Sequence, residues 1–155
     1  MLRRVAFRVP RHPASVGVAR QRVRRHLAAW GYAAKSETAA NAVLLVSEPA
    51  ANVVRHAPLL VREFEVAVTA REDGSCLIEV CDQGPGLPVV VRDGEVGEAE
   101  NGRGLRLVEA VAKEWGVRPD RHVGKTVWAL IDAPPLYVPH AQHRHRPAHQ
   151  EGRDD

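Results

Sequence analysis

From residue 3 to residue 9 the chain alternates, with Val5, Phe7 and Val9 on one side and Arg4, Ala6 and Arg8 on the other. That period of two predicts a strand with one wet face, closed by Pro10 and Pro13. The period then lengthens. Val16, Ala19, Val23, Leu27 and Trp30 recur at helical spacing, so a helix is expected over 15–30, capped by Ser15 and stopped at Gly31. A second helix should start near Ser36 or Thr38 and end at Pro58, burying Val43, Leu44, Val46, Ala50, Val53, Val54 and Ala57. Alternation returns over 63–70 and 76–82, around a hairpin turn at 71–75 that contains Asp73-Gly74. Residues 87–101 show no period, and their glycines and charges read as a mobile loop. A third helix is expected over 103–115, with Leu105, Val108, Val111, Ala112 and Trp115 inward and Gly116 just past its end. Residues 117–121 and 125–132 read as the last two strands, turning at His122-Val123-Gly124.

Composition adds limits to this outline. The 155 residues suffice for one domain with a real core. The apolar fraction of 45% and charged fraction of 26% belong to an ordinary globular protein. No apolar run approaches the roughly 20 residues that a membrane helix needs. The first residues lack a continuous apolar stretch, so no secretion signal and a cytoplasmic location are the expectation. Cys76 and Cys81 lie on one predicted strand and point to opposite faces, a spacing for small buried hydrophobes rather than a disulfide or metal site. Before Trp30 the chain carries eight arginines and no acid. With aromatic residues at 5% and none interleaved as a stacking platform, a nucleic-acid surface is disfavoured. A solvated helix face, or a docking face for an acidic protein partner, is the better reading. After Ala133 the composition shifts to Pro134-Pro135 and a His/Arg-rich stretch. One domain over 1–132 and a disordered tail over 133–155 are therefore expected.

Candidate chemistry concentrates in the second helix. Glu48 and Asn52 stand four residues apart, one turn apart on one face. A carboxylate can take a proton, and an amide oxygen is a hard ligand suited to Mg²⁺. The same spacing also occurs in an ordinary polar pair on a solvated face. Pro49 lies between them; inside a helix it removes the bond to the carbonyl of Leu45 and costs about 3 kcal/mol or bends the helix. Such a bend falls directly after Glu48, so it threatens the aim of that carboxylate more than binding through Asn52. Downstream come Asp82-Gln83-Gly84-Pro85-Gly86, then Gly102-Arg103-Gly104-Leu105, then Gly124-Lys125-Thr126-Val127. A glycine-flanked helix start offers free N–H groups and a positive dipole end to an anion, although two glycines also make a merely flexible entry. Neither a Walker A loop nor a dinucleotide-binding fingerprint is present.

With the second helix, these three pieces resemble, in order and spacing, the N box and the three glycine boxes of the GHKL ATP-binding fold of gyrase and the histidine kinases. The closer resemblance is to the single-domain anti-sigma-factor serine kinases and their actinobacterial relatives. Their helix commonly reads S-E-x-x-x-N-x-x-R-H-A, and Ser47, Glu48, Asn52, Arg55, His56 and Ala57 match it. The resemblance spans about 3–132. It implies an α/β, two-layer sandwich in which a mixed, mostly antiparallel sheet carries about three helices on one face. It also implies ATP and Mg²⁺ as cofactors. Asp82 would accept from the adenine amine, helped by Thr126 and a water, with Gly84 and Gly86 passing under the base. Gly102, Arg103, Gly104 and Leu105 would cradle the phosphates, and the loop before them would be a lid. Asn52 would hold Mg²⁺, and Glu48 would polarise a water or a partner's serine. Arg55 becomes a candidate for regulation or partner contact, while His56 reads as structural. The implied partners are a sigma factor and an anti-sigma-factor antagonist, with neither nucleic acid nor membrane, and a homodimer is left open. The other reading is a catalytically weak, ATP-gated binding module without kinase activity. A histidine kinase would need a dimerisation helix pair with a phosphoacceptor His, which the motifs do not include.

Overall fold

The computed structural model describes residues 2–82, 102–119 and 124–132, with only the backbone for 102–106. In chain order the elements are β1 (Arg3–Pro10), α1 (Pro13–Ala29), α2 (Glu37–His56), β2 (Glu63–Ala70), β3 (Cys76–Cys81), α3 (Gly102–Val111), β4 (Glu114–Pro119) and β5 (Lys125–Ile131). The strands form one sheet in the order β1-β2-β3-β5-β4, and each of these pairings is antiparallel. This is the expected α/β sandwich, with its described strands wholly antiparallel. The loop over 87–101 and the stretch from 133 onward lie outside the described residues.

Register decides which side chains meet the helices. Val5 opposes Val68 and Phe7 opposes Val66; Val66 in turn opposes Val80, which opposes Val127. Because side chains alternate along a strand, these residues share one face with Phe64, Ile78, Ala129 and Ile131. That face packs into one core with Ala19, Val23 and Leu27 of α1 and Ala42, Leu45, Val46, Ala50 and Val53 of α2. Val108 of α3 joins the same core. The other face carries no helix among the described residues. There Glu79, 9% exposed, pairs with Arg118 of β4 and with Arg4 of β1 at 3.7 Å. Arg8 pairs with Glu63 at the edge.

Local chemistry explains the ends of the helices. His12, rather than Ser15, caps α1: its Nδ1 accepts from the Ala14 N–H at 3.1 Å, and Pro13 opens the first turn. Ser15 turns inward and is buried. A histidine cap carries a weaker sequence signal than serine, so the boundary shifts by one turn. Gly31 follows with φ 98, as its stop role requires. Ser36 caps α2, its Oγ accepting from the Ala39 N–H at 3.2 Å. The buried stripe of α2 uses Leu45, while Leu44 is only half-buried. Pro49 sits buried inside α2, which continues unbroken on both sides of it. Two residues earlier, the Ser47 hydroxyl donates to the Val43 carbonyl at 2.6 Å.

The third helix ends four residues earlier than its spacing predicts. Ala112 N–H still donates to Val108 O, but Lys113 N–H donates to Leu130 O at 2.8 Å, so β5 captures the chain. Trp115 and Gly116 are therefore strand residues, opposite Ala129 and Trp128. Gly116 is required there by packing: a Cβ would come within 2.9 Å of the Trp128 ring.

Candidate functional site

A cleft opens between α2 and the helix-facing side of the sheet. It measures about 520 Å³, counting its open mouth. From α2 come Pro49, Asn52, Val53, His56 and Ala57, which recur at the three- and four-residue spacing of one helix face. From the sheet come Val80, Asp82, Val117, Lys125 and Val127. The cleft thus has an apolar floor of valines, a carboxylate at one end and an amide on the opposing wall.

Asp82 is held by backbone geometry. It follows directly after β3, on the same face as Val80, and is only 5% exposed. Its N–H donates to Lys125 O at 3.1 Å, and its Oδ1 accepts the Lys125 N–H at 2.7 Å. Gly124, at φ +87, makes this approach feasible: a Cβ there would lie 2.6 Å from the Asp82 carbonyl oxygen.

The structure brings some of the expected residues together and separates others. Asn52 and Asp82 line the same cleft. Glu48 is half-buried and is not among the residues that line it; it stands one rung back from Asn52, with Pro49 in the wall instead. Thr126 is 3% exposed and faces the opposite side of the sheet, near Arg4, Glu79 and Arg118. The residue of β5 that reaches the cleft is Lys125. The alternation fixed by Val127 could have shown this, since 125 and 127 share a face and 126 does not. His56, read as structural from its position, is exposed and lines the cleft. Gly102, Arg103, Gly104 and Leu105 open α3 as the backbone of its first turn. Gly84 and Gly86 lie outside the described residues.

Among the described residues no cluster of three His, Cys, Asp or Glu side chains is arranged to hold a metal. The donor set nonetheless fits a magnesium ion carried on phosphates, which needs only one or two protein oxygens. The Asn52 amide oxygen, on the cleft wall, is of that kind. No helix among the described residues is long and apolar enough to cross a membrane.

Comparison with known proteins agrees with this geometry. No curated protein matches the chain. The family model of the histidine kinase-like ATPase domain matches residues 9–131, from the end of β1 to the end of β5. That span holds the cleft, Asp82, the start of α3 and all of α2, so ATP binding is the activity class of this fold. The chain belongs to the histidine kinase-like ATPase domain family.

Proposed function

We propose that this chain is a cytoplasmic regulatory protein that binds ATP and Mg²⁺, holds a sigma factor, and phosphorylates a serine of an antagonist protein. The observation that carries the ATP half is Asp82, fixed at the end of a valine-lined cleft opposite Asn52. In this reading the Asp82 carboxylate accepts from the exocyclic amine of adenine, and Val80, Val117 and Val127 cover the face of the base. The first turn of α3 turns its free N–H groups toward the phosphates. Asn52 holds Mg²⁺, which neutralises phosphate charge when bound. Glu48 accepts the proton of the attacking serine hydroxyl as its oxygen bonds to the γ-phosphorus and ADP departs. Positioning and electrostatics supply most of the rate in such a transfer.

The partner half rests on the helix resemblance and on surface charge. Arg20, Arg22, Arg24 and Arg25 are exposed on α1, whose first turn holds no acid. Arg22 lies over the Phe7 ring at 4.9 Å, and the others are exposed along the helix, a face suited to an acidic protein surface. A second reading, an ATP-gated docking module without transfer, is favoured by one observation: Pro49 rather than Glu48 is in the cleft wall. The test is incubation of the purified chain with γ-labelled ATP and Mg²⁺ in a lysate of its own organism. A Glu48→Ala variant runs alongside. Label on one small protein, lost in Glu48→Ala, supports the kinase. Absence of transfer by a chain that binds ATP leaves the docking module.

A further inference from the structure

Strand β1 lies at one edge of the sheet. It pairs with β2 in unbroken register, from Arg3 opposite Ala70 to Pro10 opposite Glu63, and no described strand lies on its other side. One residue further on, Arg11 N–H donates to Arg62 O at 2.8 Å. In an antiparallel ladder, alternate residues turn both backbone groups toward the partner. Counting back from Arg11, residues 9, 7, 5 and 3 bond to β2, so Arg4, Ala6 and Arg8 turn their N–H and C=O groups outward. Eight residues without a bulge make a long template for a further strand, and Pro10 blunts only its end.

Helix α1 walls one side of that edge. Arg22, His26 and Trp30 recur every four residues along one face. The Phe7 ring stacks on His26 with centroids 6.3 Å apart, His26 lies 6.2 Å from Trp30, and the Arg22 guanidinium lies 4.9 Å over Phe7. Val5, Phe7, His26 and Trp30 are only half-buried, whereas Val9 is 3% exposed. An apolar row is thus left facing solvent beside open backbone groups. Charge there has one sign, since neither β1 nor α1 contains an acid. Arg4 and Arg8 meet Glu79 and Glu63 of the sheet, but Arg3 and Arg22 enter no ion pair among the described residues. We propose that the outer edge of β1 is a strand-addition site for an extended acidic segment of a partner protein, its apolar residues against Phe7 and Trp30 and its carboxylates within reach of Arg22 and the β1 arginines. In this mode main-chain bonds supply affinity and alternate side chains supply specificity. A second copy of the chain is the wrong occupant: adding antiparallel about Ala6, it would set Arg4 opposite Arg8 twice, and like charges directly opposed destabilise. The site is independent of the nucleotide reading, because no residue of β1 or α1 lines the cleft.

The test is fluorescence anisotropy of the full chain with a labelled synthetic peptide that alternates glutamate with valine and tyrosine. The acidic peptide is expected to bind saturably, and the same peptide with lysine for glutamate about tenfold or more weakly. An added strand bonds by one edge only. N-methylation of one alternating set of peptide residues should therefore cost about a hundredfold, and of the other set almost nothing. Ala6→Pro removes an outward N–H while keeping the ladder to β2, so it should weaken the peptide about tenfold. Arg4→Gln with Arg22→Gln should weaken it about fivefold. Circular dichroism melts check that each variant is folded, and the methylated pair needs only the wild type. No binding by the wild type, equal binding of the acidic and lysine peptides, or an equal effect of the two methylated forms overturns the proposal. So does a dimer in size-exclusion chromatography that Ala6→Pro converts to a monomer, since the edge would then belong to a second copy.

Discussion

Gly124→Ala separates the role of the cleft from the stability of the fold. The residue has φ +87, where an L side chain costs about 1–2 kcal/mol. Its new Cβ would stand 2.6 Å from the Asp82 carbonyl oxygen and 3.1 Å from Asp82 Oδ1. Those contacts are backbone and a carboxylate held to the Lys125 N–H, so nothing nearby yields cheaply. Relief requires Asp82 to move off that N–H, which costs about 1.5–3 kcal/mol for a hydrogen bond to a charged acceptor. The expected destabilisation is therefore roughly 3–5 kcal/mol, or about 10 °C in melting temperature for a domain of this size. Gly74→Ala is the control. Gly74 also has positive φ, 85, but it lies in the β2–β3 turn, at the far end of β3 from Asp82. Gly74→Ala should cost about 1–2 kcal/mol from backbone strain and leave nucleotide affinity unchanged. Gly124→Ala should lose affinity about tenfold or more at temperatures where it is still folded. Thermal melts and titration with a fluorescent ATP analogue measure both quantities. Equal affinities for Gly124→Ala and Gly74→Ala would refute the claim that the Asp82–Lys125 junction forms the base end of the site.

Four further outcomes are expected. Pro49→Ala restores an N–H for the Leu45 carbonyl inside α2 and should stabilise the chain by about 1 kcal/mol or more, read by urea titration. Asp73 accepts from the N–H and hydroxyl of Ser75, which hold its carboxyl below the ordinary value of 3.8. A depressed folded pKa stabilises above the unfolded value and is lost as pH falls through the folded one, so melting temperature should drop below about pH 4, less steeply in Asp73→Asn. Burial pushes the Cys76 thiol up to about 12, so in a Cys81→Ser variant Cys76 should resist a disulfide reagent at pH 8 until denaturant is added. Arg20→Glu with Arg24→Glu should abolish retention of the partner identified by phosphotransfer while leaving ATP affinity intact, because neither arginine lines the cleft.

Much of the fold was legible because its elements obey one period at a time. Residues 63–70 alternate strictly and form β2 to the residue, and the α2 stripe predicted Val43, Val46, Ala50 and Val53 among its buried positions but missed Thr38, Ala39, Ala42, Leu45 and Pro49. The misses fall where two periods agree. Leu105, Val108, Ala112 and Trp115 fit a helix, yet Trp115 and Val117 also alternate, and only the long-range bond from Lys113 to Leu130 selects the strand. Of the candidate cleft, Asn52 on α2 and Asp82 were legible, the latter from the order of motifs along the chain, whereas Glu48 does not line it. It was least legible in β5. There a shift of one residue exchanges the two faces of the sheet, so a motif that names Thr126 points away from the cleft while its neighbour Lys125 enters it. Whether Glu48 serves as base depends on the wall around Pro49, which no pairing of residue types could reveal.

The most direct test of the central claim is calorimetric titration of the full chain with ATP and Mg²⁺, in the wild type and in Asp82→Asn. One binding site in the wild type, weakened about a hundredfold in an Asp82→Asn variant that melts at the same temperature, is the predicted result, since the variant amide presents a donor to the adenine amine. Equal affinity in the two proteins, or no binding by the wild type, would contradict the assignment of this cleft to ATP.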